Sequence, residues 1–202
     1  MQLMSEQPLP WRPFTVPNLI SLARLGCIPV FLWLLFSVGD RWAAALLLGA
    51  LGATDWIDGF IARKFDQVSE LGKILDPTAD RLMLLVGIFA IWIDGSVPGW
   101  IAWLALVREA LVALVALFLA AFGARKIEVT WWGKTGTFLL MFAFPFFLAG
   151  ESDIGIASFF AAGAWACALV GLPIHYWSGV KYVPAAREAL QEGRAGRETQ
   201  IP

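Results

Sequence analysis

Cysteine, net charge and internal repetition are all scarce in this chain of 202 residues. The two cysteines, Cys27 and Cys167, both lie within apolar runs. They read as small core residues, which excludes a disulfide framework or a zinc site as the organising device. The formal charge is −1 at pH 7, so no global basic surface is available for nucleic acid. The N-terminal residues lack a basic n-region followed by an apolar stretch and a small-residue cleavage site, and they are not Arg- and Ser-rich like a transit peptide. No internal repeat or low-complexity segment is visible. What the chain has in abundance is apolar residues: 59% are hydrophobic and the mean hydropathy is +0.70, more than a soluble domain of this length carries.

Those apolar residues come in long runs, each near the ~20 residues that span a bilayer as a helix. The expected fold is an all-α polytopic membrane protein of six transmembrane helices with a cytoplasm-facing polar cavity. A short interfacial N-terminal segment, 1–14, carries Pro8, Pro10 and Pro13 with Trp11 and Phe14 as anchors. A six-helix membrane domain, 15–183, and a charged, weakly ordered cytoplasmic tail, 184–202, follow. The first span covers Val16 to Val38, with Pro17 in its first turn and Pro29 set to kink or loosen its middle. The second begins near Trp42, the third ends near Ile93, the fourth runs from Pro98 to Phe122, the fifth from Thr135 to Ala149 and the sixth from Ile154 to about Tyr176. Arg63, Lys64, Lys73, Arg125, Lys126, Lys134 and Lys181 lie on one side together with both termini, whereas the opposite loops hold Arg41 beside Asp40, Asp94, Glu151 and Asp153. The excess of basic residues places both termini at the cytoplasmic face of the cell membrane.

The second and third spans cannot be completed without acids. Only about a dozen apolar residues precede Asp55, and about a dozen follow Arg81, too few for a bilayer. The intervening stretch, DWIDGFIARKFDQVSELGKILDPTAD, runs from Asp55 to Asp80. Asp55, Asp58, Gly59 and Ala62 share one helical stripe, and Gly72, Asp76 and Asp80 share another. Four carboxylates facing one another need positive charge between them, and oxygen-only ligands suit Mg²⁺, Mn²⁺ or Ca²⁺. Acids at this depth face water or each other, and the glycines leave room for a ligand. Pro77 either opens a helix capped by Asp76 or kinks one already begun.

The spacing D-x2-D-G-x2-A-R-x8-G-x3-D-x3-D resembles the signature of the CDP-alcohol phosphatidyltransferases, and every fixed position is matched, from Asp55 through Arg63 to Asp80. The resemblance implies transfer of a phosphatidyl group from CDP-diacylglycerol to an alcohol with release of CMP. It implies two divalent ions, Mg²⁺ or Mn²⁺, held chiefly by Asp55, Asp58 and Asp76. Asp80 is then the general base and also touches the second metal. Arg63 becomes the phosphate clamp, and Gly59, Ala62 and Gly72 let the cytidine diphosphate lie against the helices. Asn18 and Arg24, in a TVPNLISLAR run similar to the family's first helix, join the CDP side. On the residues alone, Asn18, Ser21 and Arg24 form either a polar helix end with Arg24 snorkelling outward or a wall of the aspartate cavity. A homodimer in the lipid bilayer is also implied.

The acceptor is read from thinner signals. TVPNLISLARLGCIPVF, the adjacent Arg108-Glu109 pair and the GKTGT run from Gly133 to Thr137 resemble the branch containing phosphatidylglycerophosphate synthases and cardiolipin synthases. In the former a second arginine follows the Arg-Glu pair about two turns on; here that stretch is LVALVALFLAAF. HYWSGVK, from His175 to Lys181, resembles the cardiolipin synthase ending. Phosphatidylglycerol is therefore the favoured acceptor, with glycerol 3-phosphate as the alternative. Acceptor contacts are expected from Arg81, Arg108, Glu109, Lys134, Thr135 and His175. Arg108 and Glu109, being adjacent, are not an i, i+4 pair, and each is expected to find its partner elsewhere; structural pairing and an acceptor role are both open. His175 is either structural or an acceptor ligand. Two other classes compete: an ion-coupled transporter, which should show midplane acids and repeated halves, and a non-catalytic lipid-binding scaffold.

Overall fold

A computed structural model describes the backbone of residues 16–65, 70–121 and 131–198, and the side chains of 19–54, 78, 79, 81–115, 133 and 135–180. Within the described residues every regular element is helical. In chain order these are α1 (Val16–Leu32), continued by a π-helical segment (Trp33–Val38), α2 (Arg41–Phe65), α3 (Glu70–Asp94), α4 (Gly99–Ala121), α5 (Trp131–Gly150) and α6 (Ala157–Glu198). The chain forms two compact units, Met1–Ala90 and Ile91–Pro202.

In the first unit, α1 passes through Pro29 and widens into π geometry one turn later. Proline removes the bond to the carbonyl four residues before it, whereas the π geometry follows Pro29, at the end of the span and not in the middle, where loosening was expected. Gly39 ends the segment at φ 75°, donating to the Leu34 carbonyl, a left-handed stop that glycine adopts without a Cβ penalty. Asp40 is not merely a turn residue: its carboxylate accepts from the Ala43 N–H at 2.9 Å and caps α2. Phe31 and Leu35 are buried with Ala44, Ala45 and Leu51 of α2. From α3, Leu48 of α2 meets the small residue Gly87. α3 is continuous through position 77, so Pro77 lies within a helix already begun and Asp76 is not its N-cap.

In the second unit, α5 and α6 form a tight antiparallel hairpin. Its seam is made of small residues at helical spacing: Gly136, Ala143 and Gly150 on α5, and Ala164, Ala168 and Gly171 on α6. A Cβ added at Gly136, Gly150 or Gly171 would come within 2.9 Å of the facing helix, so the backbones approach as closely as helices can. Phe138, Phe142, Phe146 and Phe160 form an edge-to-face series along one flank. α4 adds Trp100 against Trp165 and Trp103 against Trp92, and the Tyr176 hydroxyl donates to the Leu104 carbonyl at 2.7 Å. α6 continues past Pro184 to Glu198, where a weakly ordered tail was expected. The run AAREALQEGRAGRE is dominated by strong helix formers, which outweigh its two glycines. At 42 residues, α6 is roughly 63 Å long.

Large apolar side chains point outward from both units, among them Trp33, Phe36, Phe89, Trp103, Phe159 and Val180. Leu19–Val38 and Ala157–Val180 are each long and apolar enough to cross a membrane, and Arg41–Thr54 and Thr135–Gly150 are shorter apolar helices. An apolar exterior on an apolar interior is what a lipid-facing helical protein requires.

Candidate functional site

The motif acids lie on uninterrupted helices. Asp55, Asp58, Gly59, Ala62 and Arg63 belong to α2, and Gly72, Asp76 and Asp80 to α3. The helical backbone keeps each set in the i, i+3, i+4 register that the spacing predicts. Their side chains, and those of Asn18 and Lys134, lie outside the described residues. Their donor chemistry suits a hard divalent cation: carboxylate oxygens only, two per helix, with no thiolate or imidazole among them.

On α1, Ser21 and Arg24 are both 2% exposed. Arg24 therefore does not snorkel outward; it and Ser21, three residues apart, face the interior of the first unit. A guanidinium held that deep belongs to a polar constellation rather than a helix end. Arg81, by contrast, is exposed on α3.

The second unit assembles a polar cluster from three helices. Arg108 Nη1 donates to Glu109 Oε1 at 2.7 Å. The adjacent pair thus bonds to itself through one guanidinium nitrogen, which the expectation of partners elsewhere did not include. The reason is reach: a long arginine can curl back to its neighbour's carboxylate, and burial of both groups (side chains 11% and 20% exposed) favours neutralisation at short range. Glu109 also has a distant partner, as His175 Nε2 of α6 lies 3.4 Å from the same oxygen. The opposite ring nitrogen, Nδ1, lies 3.5 Å from Thr137 Oγ1 of α5, whose hydroxyl donates to the Gly133 carbonyl at 3.0 Å. His175 is 1% exposed. Thr135, two residues earlier on α5, is half-buried. The Arg-Glu pair, the GKTGT run and the HYW ending, far apart in sequence, meet here. Among the described residues no third His, Cys, Asp or Glu joins Glu109 and His175 in a group that could hold a metal ion. Thr137 and Tyr176 are the participants the sequence did not single out. Thr137 closes the GKTGT run and Tyr176 adjoins His175, but neither type advertises a role by itself.

The family model for CDP-alcohol phosphatidyltransferases matches residues 14–171. The chain belongs to that family. The matched range holds every motif acid, the Arg-Glu pair and the GKTGT run; His175 and Tyr176 lie just beyond it. A cardiolipin synthase (CMP-forming) of Streptomyces coelicolor is 37% identical over 186 residues, covering 89% of this chain and 86% of that protein. A CDP-diacylglycerol–glycerol-3-phosphate 3-phosphatidyltransferase of Escherichia coli is 32% identical over 191 residues, covering 88% of this chain and 97% of that protein. The family is one of membrane-associated, divalent-metal-dependent transferases.

Proposed function

We propose that this chain is an integral-membrane cardiolipin synthase, transferring the phosphatidyl group of CDP-diacylglycerol to phosphatidylglycerol and releasing CMP. The observation that carries the acceptor is the face following Arg108-Glu109. Leu111, Leu114 and Val115 stand exposed there, and no charged residue follows before Arg125. An apolar wall beside one buried ion pair suits a lipid acceptor with a single phosphodiester better than a small, doubly charged sugar-alcohol phosphate. The greater identity to the Streptomyces protein points the same way. Glycerol 3-phosphate remains the second reading, favoured by the near-complete coverage of the Escherichia coli relative and by the cations Arg125 and Lys134.

In this reading Asp55, Asp58 and Asp76, with Asp80 at a second position, hold two Mg²⁺ or Mn²⁺ ions. When bound, the metal supplies Lewis-acid neutralisation of the diphosphate charge. Arg63 grips the diphosphate through its planar fork. Asn18 and Arg24 complete the CDP side, and Gly59, Ala62 and Gly72 admit the nucleotide close to the helices. Asp80 takes the proton from the acceptor hydroxyl. The hydroxyl oxygen bonds to the phosphorus bearing diacylglycerol, and the bond from that phosphorus to the CMP oxygen breaks. The acceptor is recognised from Arg108, Glu109, Lys134 and Thr135, with Arg81 on the exposed side of α3. Six spans, with termini and motif acids at the cytoplasmic face, and a homodimeric assembly complete the reading.

The test is direct: purified protein with CDP-diacylglycerol and either phosphatidylglycerol or glycerol 3-phosphate, with products separated. Cardiolipin and CMP from phosphatidylglycerol are expected. Product formed only from glycerol 3-phosphate would replace the acceptor, and metal-independent silence with both, in protein that binds CDP-diacylglycerol, would favour a non-catalytic lipid-binding role.

A further inference from the structure

We infer that His175 and Thr137 are positioning residues for acceptor recognition, acting through Glu109 to orient Arg108. The inference rests on the reading of Arg108 as an acceptor residue. Arg108 spends Nη1 on Glu109. Its Nε is buried and, among the described residues, has no hydrogen-bond partner. A guanidinium recognises a carboxylate or phosphate side-on through the edge that includes Nε, and a buried N–H without a partner is costly. The Glu109 pairing therefore turns the anion-binding edge away from Glu109 and leaves it for a ligand oxyanion.

What holds Glu109 is His175. The ring is buried and both of its nitrogens face protein groups, the Glu109 carboxylate on one side and the Thr137 hydroxyl on the other. It has no nitrogen left for the acceptor. Thr137 is itself anchored, because its hydroxyl hydrogen goes to the Gly133 carbonyl and its oxygen faces Nδ1. The base of the ring is fixed by backbone contact: a Cβ at Gly136 would lie 2.9 Å from His175 N and Cα. The contacts Gly133–Thr137–His175–Glu109–Arg108 thus run from the α5 backbone to the guanidinium; with the Thr137 hydrogen spent on Gly133, a ring N–H donates toward Glu109 or toward Thr137 Oγ1, and packing against the other neighbour limits the ring's rotamers. These two residues would shape the affinity for the acceptor's anionic group and leave CDP-diacylglycerol binding alone.

The experiment compares KM and kcat of the full chain in lipid–detergent micelles with CDP-diacylglycerol and, in separate arms, phosphatidylglycerol and glycerol 3-phosphate. The two arms tell a lipid phosphodiester from a free phosphate ester. Arg108→Lys and His175→Phe should each raise the acceptor KM about tenfold, with the CDP-diacylglycerol KM changing less than about twofold. His175→Gln, which retains a donor toward Glu109, should recover to within about threefold of the unmodified protein. Thr137→Val, nearly isosteric, should raise the acceptor KM by about threefold. An unchanged acceptor KM in His175→Phe alongside a raised one in Arg108→Lys overturns the positioning role and leaves the acceptor reading standing. An unchanged acceptor KM in Arg108→Lys overturns the acceptor reading itself. Equal losses in His175→Phe and His175→Gln, moving both KM values and kcat together, would make the ring merely structural. Should His175→Phe fail to fold, Thr137→Val decides, and an unchanged acceptor KM there overturns the inference.

Discussion

Adding one methyl group at Gly136 should loosen the α5–α6 hairpin measurably. In Gly136→Ala the new Cβ would lie 2.9 Å from His175 N and Cα and 3.0 Å from its Cβ. Non-bonded carbons prefer a separation of about 3.5–4.0 Å, so the two helices must part by roughly 0.6–1 Å. The atoms met are backbone, which cannot rotate aside. Overpacking of this kind costs about 1–3 kcal/mol. Replacing glycine by alanine within a helix returns up to about 1 kcal/mol. The net effect is a loss of about 0–2 kcal/mol, or up to roughly 8 °C in Tm for a chain of this size. Gly26 is the internal comparison. It lies within α1 with nothing inside 4 Å of an added Cβ, so Gly26→Ala should gain about 0.5–1 kcal/mol. Thermal unfolding in micelles, followed by the fluorescence of the 11 tryptophans, reads both. A Tm for Gly136→Ala raised as much as that of Gly26→Ala would refute the close-packed seam. An equal fall in Gly26→Ala would show that the loss has nothing to do with His175.

Asp55→Asn and Asp76→Asn should each abolish most turnover with Mg²⁺ or Mn²⁺; near-normal activity in either would withdraw its assignment as a metal ligand. Asp80→Asn should still bind CDP-diacylglycerol while transfer falls by about 10²–10⁴-fold, and loss of binding together with transfer would assign it a ligand or folding role instead. Asp40→Ala removes the acceptor of the 2.9 Å bond from the Ala43 N–H. It should cost about 1 kcal/mol of stability while the KM for either substrate stays put; an unchanged Tm would show that the cap contributes nothing.

The sequence by itself determined most helix limits and the chemistry of the motif; the continuation of α6 to Glu198 was not read from it. Helix limits follow from local composition, and a bilayer-length apolar run bounded by glycine, proline and charge has few alternatives. The expected first span ends at Val38, where the π segment ends, and the third stops within one residue of the end of α3. The motif was legible because its acids sit on two short helical stripes, where i, i+3 and i+4 spacing carries the geometry. The polar cluster was not legible in this way. His175 and Glu109 are 66 residues apart, and His175 and Thr137 are 38 apart, so no periodicity links them. Glu109 found a distant partner in His175 as expected, but the bond between Arg108 and its neighbour was not read, because helical spacing describes Cβ positions and not the reach of a long side chain. The glycines of α5 and α6 read as weak helix formers, and their use as contact points appears only when a second helix lies 2.9 Å from the missing Cβ. Local periodicity thus specified which residues are helical and which carry charge; long-range packing, driven by backbone approach at small residues, decided which of those charges meet.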